Sequence, residues 1–140
     1  MHILYLDNGL TGEALAQLRN QAGWGHTPVG QATTAMAHTL FSVAAMDGDD
    51  VVGMGRLVGD GALNWYVQDL IVLPNYQNNG IGSTILQKLI DHATHSAQAD
   101  TTITIGLMSA KGKENYYQKF GFRTRPNDNE GAGMVLNKRI

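Results

Sequence analysis

Two short segments hold the residue types whose spacing best suits chemistry. The first is Asp69-Leu-Ile-Val-Leu-Pro-Asn-Tyr-Gln-Asn-Asn-Gly-Ile-Gly-Ser83, where an apolar run breaks at Pro74 and a polar stretch carries Gly80 and Gly82 into helical periodicity. The start of a helix has unpaired N–H groups and about half a positive charge. Glycine there lets an anion reach the backbone without a Cβ in the way. The segment is built like a phosphate cradle, although it also satisfies a plain strand-to-helix turn. No Gly-Lys-Ser/Thr follows, which excludes a P-loop, and the third glycine of a dinucleotide fingerprint is missing.

The second segment is Glu114-Asn-Tyr-Tyr-Gln-Lys-Phe-Gly-Phe122. Tyr116 and Phe120, four apart, share a helix face, and Phe120 and Phe122 read as packing residues. Tyr117 lies on a neighbouring stripe, and a buried phenol needs a polar partner. With an ordinary pKa near 10 it can also give a proton to a thiolate or alkoxide. His92 and His95, three apart, do not complete a metal site because no carboxylate joins them, so they read as a solvated helix face. Gly53 and Gly55 read as packing or bulge glycines in a strand.

Composition narrows the classes. The chain has 140 residues, enough for one domain, and 43% apolar residues supply a core. Ten Lys and Arg against twelve Asp and Glu give a net charge of −2, so there is no basic field for nucleic acid or an anionic membrane. No cysteine is present, which removes disulfides, thiolate zinc sites and a Cys nucleophile together. No apolar run approaches membrane-spanning length, and the start of the chain has no basic region followed by an apolar block. A cytoplasmic protein of one domain, residues 1–140, is expected.

The elements that must position these segments follow from periodicity. Residues 2–6 alternate as a strand; Thr11 caps a helix carrying Leu15, Leu18 and Ala22, stopped at Gly23. Residues 24–30 read as a loop and Gln31–His38 as a weaker helix. Strands are expected at Leu40–Met46 and Val51–Val58 around an Asp47-Gly48-Asp49 turn, and at Leu63–Leu73. Ile81, Ile85, Leu89 and Ile90 form the apolar face of a long helix to Ala97. A strand at Thr101–Met108, a short helix at Glu114–Phe120 closed by Gly121, and strands at Phe122–Thr124 and Met134–Asn137 complete an α+β order.

Gln77-Asn-Asn-Gly-Ile-Gly82 resembles the Gln/Arg-x-x-Gly-x-Gly/Ala signature of the GCN5-related N-acetyltransferases (GNAT). Tyr117-Gln-Lys-Phe-Gly-Phe122 is similar to that family's Tyr-x-Lys-x-Gly-Phe motif, about 40 residues on, with a helix and a strand between. Gly131-Ala-Gly-Met134 also resembles close members. The resemblance covers nearly the whole chain. It implies a GNAT-type fold: a mixed, mostly antiparallel sheet of six to seven strands flanked by about four helices.

It further implies acetyl-CoA as acyl donor, without a metal. The bulged fourth strand, Leu70, Ile71 and Val72 here, would pair with the pantetheine arm, and the Leu70 N–H would steady the oxyanion. Gln77, Asn78, Asn79, Gly80, Ile81, Gly82 and Ser83 would hold the pyrophosphate. Tyr117 would protonate the departing thiolate. Many members carry Arg or Lys where this chain has Asn78 and Asn79. Many place Asn and Ala where it has Lys111 and Lys113, which leaves Asn115 as the nearby amide for pantetheine. Direct attack requires a neutral amine, hence a base or a water chain to one. Asp69 is the first choice, against the alternative of a carboxylate that orders neighbouring loops; Glu13 and His26 follow. The acceptor site would be framed by Trp24, His26, Thr27 and Met36, with Trp24 either a wall for an aromatic or cationic substrate or a lid over the core. The acceptor is expected to be a small-molecule primary amine, and homodimers are frequent in the family. A non-catalytic acyl-CoA-binding module and a protein acetyltransferase are the alternatives.

Overall fold

A computed structural model describes residues 1–140, which form two compact units, Met1–Gly106 and Leu107–Ile140. The first unit runs β1 (Leu4–Asp7), α1 (Gly12–Gln21), α2 (Val29–Ala37), β2 (Phe41–Asp47), β3 (Asp50–Gly59), β4 (Asn64–Val72), a 3₁₀ turn (Pro74–Tyr76), α3 (Ile81–Ser96) and β5 (Thr104–Gly106). Its sheet has the order β1-β2-β3-β4-β5. The first four strands are antiparallel, and β5 is parallel to β4. The mixed, mostly antiparallel α+β architecture matches expectation, with five strands in place of six to seven.

Helices cover both faces of the sheet. Ile81, Ile85, Leu86, Leu89 and Ala93 of α3 are buried. On the other face Leu15 and Leu18 of α1 and Ala32 of α2 join Met54 and Ile71 in one cluster. This explains the unbroken apolar run of β2, where Val43, Ala44 and Ala45 are all inaccessible: a strand covered on both faces does not alternate. Thr11 caps α1 as expected, its hydroxyl accepting from the Ala14 N–H at 3.1 Å.

Glycine sets how closely α3 approaches. A Cβ on Gly55 would lie 2.8 Å from Ile85 Cγ2 and 3.0 Å from Leu89 Cδ1. One on Gly53 would lie 3.2 Å from Ile81 Cγ2. Both are packing glycines beneath α3, the helix that starts from the candidate cradle. His92 departs from the solvated-face reading. Its ring stacks on Phe41 with centroids 3.9 Å apart and meets Trp65 edge-on.

The second unit contains one short helix, α4 (Glu114–Gln118), and no strand. The expected strand at Phe122–Thr124 is absent because polar contacts fold this stretch back on itself. Arg123 donates to both oxygens of Glu130 at 2.6 and 2.7 Å, and Arg125 donates to the Gly131 carbonyl at 2.7 Å. The segment Met134–Asn137 has strand-like composition but no ladder, and Met134, Val135 and Leu136 are exposed. Strand propensity without an adjacent edge does not make a strand.

Candidate active site

The register of β3 against β4 shows how the fourth strand is shaped. Met54 pairs with Ile71 and Arg56 with Gln68, so Gly55 alone opposes Asp69 and Leu70. That extra residue is a β-bulge, and Asp69 takes a left-handed φ of 56° to make it. The bulge reverses the strand's facing. Before it, Trp65 meets His92 of α3; after it, Asp69 bonds Arg19 of α1 and Ile71 joins the α1–α2 cluster. Leu70 points the other way, toward Gly55 and α3.

Pairing between β4 and β5 spans only Asn64↔Thr104 to Tyr66↔Gly106. From Val67 to Val72, the side of β4 away from β3 therefore has no strand partner within this sheet. Leu70, Ile71 and Val72 lie in that stretch. A parallel edge that stops after three pairs leaves backbone donors and acceptors for an extended ligand arm.

The cradle follows directly. After the 3₁₀ turn, Asn78 and Gly80 adopt φ values of 64° and 79°. The Gln77 side chain donates to the Val72 carbonyl at 2.9 Å, tying the loop to the end of β4. Asn79 donates to the carbonyls of Tyr76 and Gln77 at 3.2 and 3.0 Å. Both amide side chains are thus spent on carbonyls, holding the loop's shape. Gly80 sits at the N-cap of α3 and offers no side-chain acceptor, and an added Cβ there would face open space. The backbone amides of Ile81 and Gly82 open α3, and the positive end of a 16-residue helix lies behind them. Between Gln77 and Ser83 there is no basic side chain, so helix and backbone dipoles supply the local attraction.

Asp69 is not a free carboxylate. Its side chain is fully buried, and both oxygens are held by guanidinium groups. Arg19 binds one oxygen through Nη1, and Arg56 binds the other through Nε at 2.7 Å. Closed off from solvent and paired with two arginines, Asp69 is poorly placed to take a proton from an incoming ammonium group, which favours the reading of a carboxylate that orders neighbouring loops. Arg56 also donates to the Thr39 hydroxyl at 3.1 Å, and Arg19 Nε donates to the Thr27 hydroxyl at 3.0 Å. The cluster thereby ties α1, β3, β4 and both loops flanking α2. Neither arginine belongs to a motif; the sequence signal for them is Asp69 itself, an acid within an apolar strand, since a buried charge requires a partner.

The acceptor-side residues separate. Trp24 is 46% exposed, and the Arg19 guanidinium lies 5.5 Å from its ring centroid. It does not serve as a lid over the core. Thr27 is fixed by Arg19 and by the Asn20 side chain, which accepts its N–H at 2.9 Å. His26 is exposed beside them, whereas Met36 packs against the α1–α2 cluster.

In the second unit Tyr117 is half-buried and meets Tyr116 and Phe122 edge-on at 5.2 and 6.1 Å. Burial, and to a lesser degree Tyr116, raises its phenol above the ordinary value near 10, so the group stays protonated at neutral pH. Asn115 is exposed on the same helix.

A bulged strand with an open edge, running by a glycine loop into an uncapped helix, is the arrangement expected of the family named above, and comparison with known proteins agrees. The family pattern described as Acetyltransferase (GNAT) domain matches residues 13–138. A GNAT family acetyltransferase from Streptococcus pneumoniae is 30% identical, covering 99% of this chain and all of that one, with a TM-score of 0.80. A probable acetyltransferase from meticillin-resistant Staphylococcus aureus is 26% identical over 98% of this chain and all of that one, with a TM-score of 0.84. Among curated relatives, the uncharacterized N-acetyltransferase ycf52 of Porphyra purpurea is 26% identical over 84% of this chain and 67% of its own length. The chain belongs to the GNAT family, and it is an N-acetyltransferase of that class.

Proposed function

We propose that the chain transfers the acetyl group of acetyl-CoA to a primary amine of a small molecule, by direct attack while both substrates are bound. The observation that carries this is the continuity of the open β4 edge with the α3 cradle. One extended arm can pair along Leu70–Val72 while its diphosphate meets the amides of Gly80–Ser83.

The chemistry balances without an acyl-enzyme. The amine nitrogen attacks the thioester carbonyl, and the Leu70 N–H stabilises the oxyanion. Collapse breaks the C–S bond, Tyr117 gives its proton to the thiolate, the amine's surplus proton leaves to solvent, and Tyr117 takes a proton back from solvent to close the cycle. We assign Asp69 a positioning role, because both its oxygens are engaged. Glu13 at the start of α1 and His26 in the α1–α2 loop, both exposed, are the remaining side chains suited to carry the amine's proton outward. On this reading the two units act as a single acetyltransferase domain, as the family match across both supports.

Calorimetry with acetyl-CoA and CoA, joined to thiol release over a panel of amines, tests the reading. Expected are binding of acetyl-CoA and amine-dependent release of CoA. Binding with no release on a broad panel would point to a non-catalytic acyl-CoA module, and release only with peptides would point to a protein acceptor.

A further inference from the structure

The Arg19–Asp69–Arg56 cluster does more than brace the bulge. We propose that Arg19, backed by Trp24, is the specificity determinant of the acceptor site and selects amines that also carry a carboxylate. This rests on the acetyl-transfer reading above and names the acceptor class for the same site.

The charge balance comes first. Two guanidiniums share one carboxylate, and no other acid is bonded to either, so the cluster keeps a net charge of +1. It lies at the bulge, one residue from the Leu70 N–H where the thioester would react. A polycationic acceptor such as a polyamine would place further positive charge against it, whereas a carboxylate would compensate it.

The geometry of Arg19 comes second. Of its five N–H groups, one on Nε goes to Thr27 and one on Nη1 to Asp69, which leaves both on Nη2 and one on Nη1. The side chain remains 26% accessible, unlike that of Asp69. Three restraints hold it: the Thr27 hydroxyl, the Asp69 oxygen and the Trp24 ring. A guanidinium immobilised in advance, with free donors in a fixed fork, loses little entropy on taking a planar anion. Arg56 differs: its side chain is 11% accessible and is turned to Thr39.

The role of Trp24 comes third. Its ring already carries a cation, Arg19, so the expectation of a wall for a cationic substrate gives way to a wall that orients the arginine. The α1–α2 loop is fixed to α1 at Thr27 by both Arg19 and Asn20, so ring and guanidinium stand on one framework.

The test compares free amino acids, including glycine and β-alanine, with their carboxamides and with spermidine, by initial rates of thiol release. An amine bearing a phosphate monoester is included to separate carboxylate from phosphate recognition. The unaltered protein should favour the acids over the amides by at least about tenfold in kcat/KM, the range of a charged hydrogen-bonded pair. Arg19→Gln should erase that ratio by raising KM for the acids. Trp24→Ala should shrink it in the same direction. Equal use of acids and amides, preference for spermidine or for the phosphate ester, or an Arg19→Gln protein in which acids and amides fall by the same factor would overturn the proposal while leaving acetyl transfer standing. A protein that binds no acetyl-CoA fails the donor reading instead. There, calorimetric titration of acid and amide onto the bare protein still decides the Arg19 site.

Discussion

At the residue scale, Tyr117 and Asp69 call for opposite experiments. The Tyr117 phenol, raised by burial, is protonated throughout the neutral range and can serve as an acid there. Tyr117→Phe keeps the ring contacts with Tyr116 and Phe122 and removes only the proton. We expect kcat to fall by roughly 10²-fold or less, with KM for acetyl-CoA little changed, because the lost interaction is made only as the thiolate leaves. Unchanged turnover across pH would remove Tyr117 from that role. Asp69→Asn keeps the shape but leaves two guanidiniums without a counter-charge. Breaking such a buried arrangement costs about 3 kcal/mol, which lowers Tm by roughly 10 °C in a chain of this size. A catalytic base would behave differently: turnover would vanish while thermal stability held. A melting curve and a rate measured on the same sample separate the two.

At the element scale, the approach of α3 to the sheet ties packing to the cradle. Ile81, at the first position of α3, also lies over Gly53, so a shift in the helix moves the amide mouth with it. Gly55→Ala puts a methyl group 2.8 Å from Ile85 Cγ2, closer than carbon atoms tolerate. We expect a loss of about 1–3 kcal/mol in unfolding free energy and a higher KM for acetyl-CoA. Denaturation midpoints and initial rates check both; an unaltered KM at lowered stability would separate the helix seat from the cradle. Elements of this kind were legible in the sequence. The 3.6-residue period from Ile81 to Leu89, the Thr11 cap and the break at Pro74 are local signals, and each lies within one or two residues of its expected place. What stayed hidden is non-local. The pairing of Arg19 with Asp69 spans 50 residues, and a left-handed aspartate leaves no mark in composition. Nor could the terminal Met134–Asn137 pattern say whether a neighbouring edge was on offer.

At the scale of the whole molecule, acid stability tests both units at once, because each has one strongly acidic carboxyl in an exposed turn. Asp60, in the first unit, accepts from the backbone N–H groups of Asn64, Ala62 and Leu63 at 3.0, 2.8 and 2.8 Å. Those bonds lower its pKa from 3.8 to about 2. Glu130, in the second, is lowered from 4.5 to about 2 by Arg123 first and then by Asn127. In both cases the folded value lies below the unfolded one. The stabilisation is therefore fully present above the ordinary carboxylate range near pH 4, and it is lost as pH falls from about 4 to about 2. Carbon-detected NMR titration of the side-chain carboxyls should place both midpoints well below the ordinary carboxylate range near 4. Asp60→Asn and Glu130→Gln should each flatten the decline in stability across that window, and the double variant should flatten it further, since the two carboxyls are held by different partners. Midpoints near 4 for either residue would mean that its hydrogen bonds do not persist in solution. The turn before β4, or the loop that stands where a strand was expected, would then need another source of order.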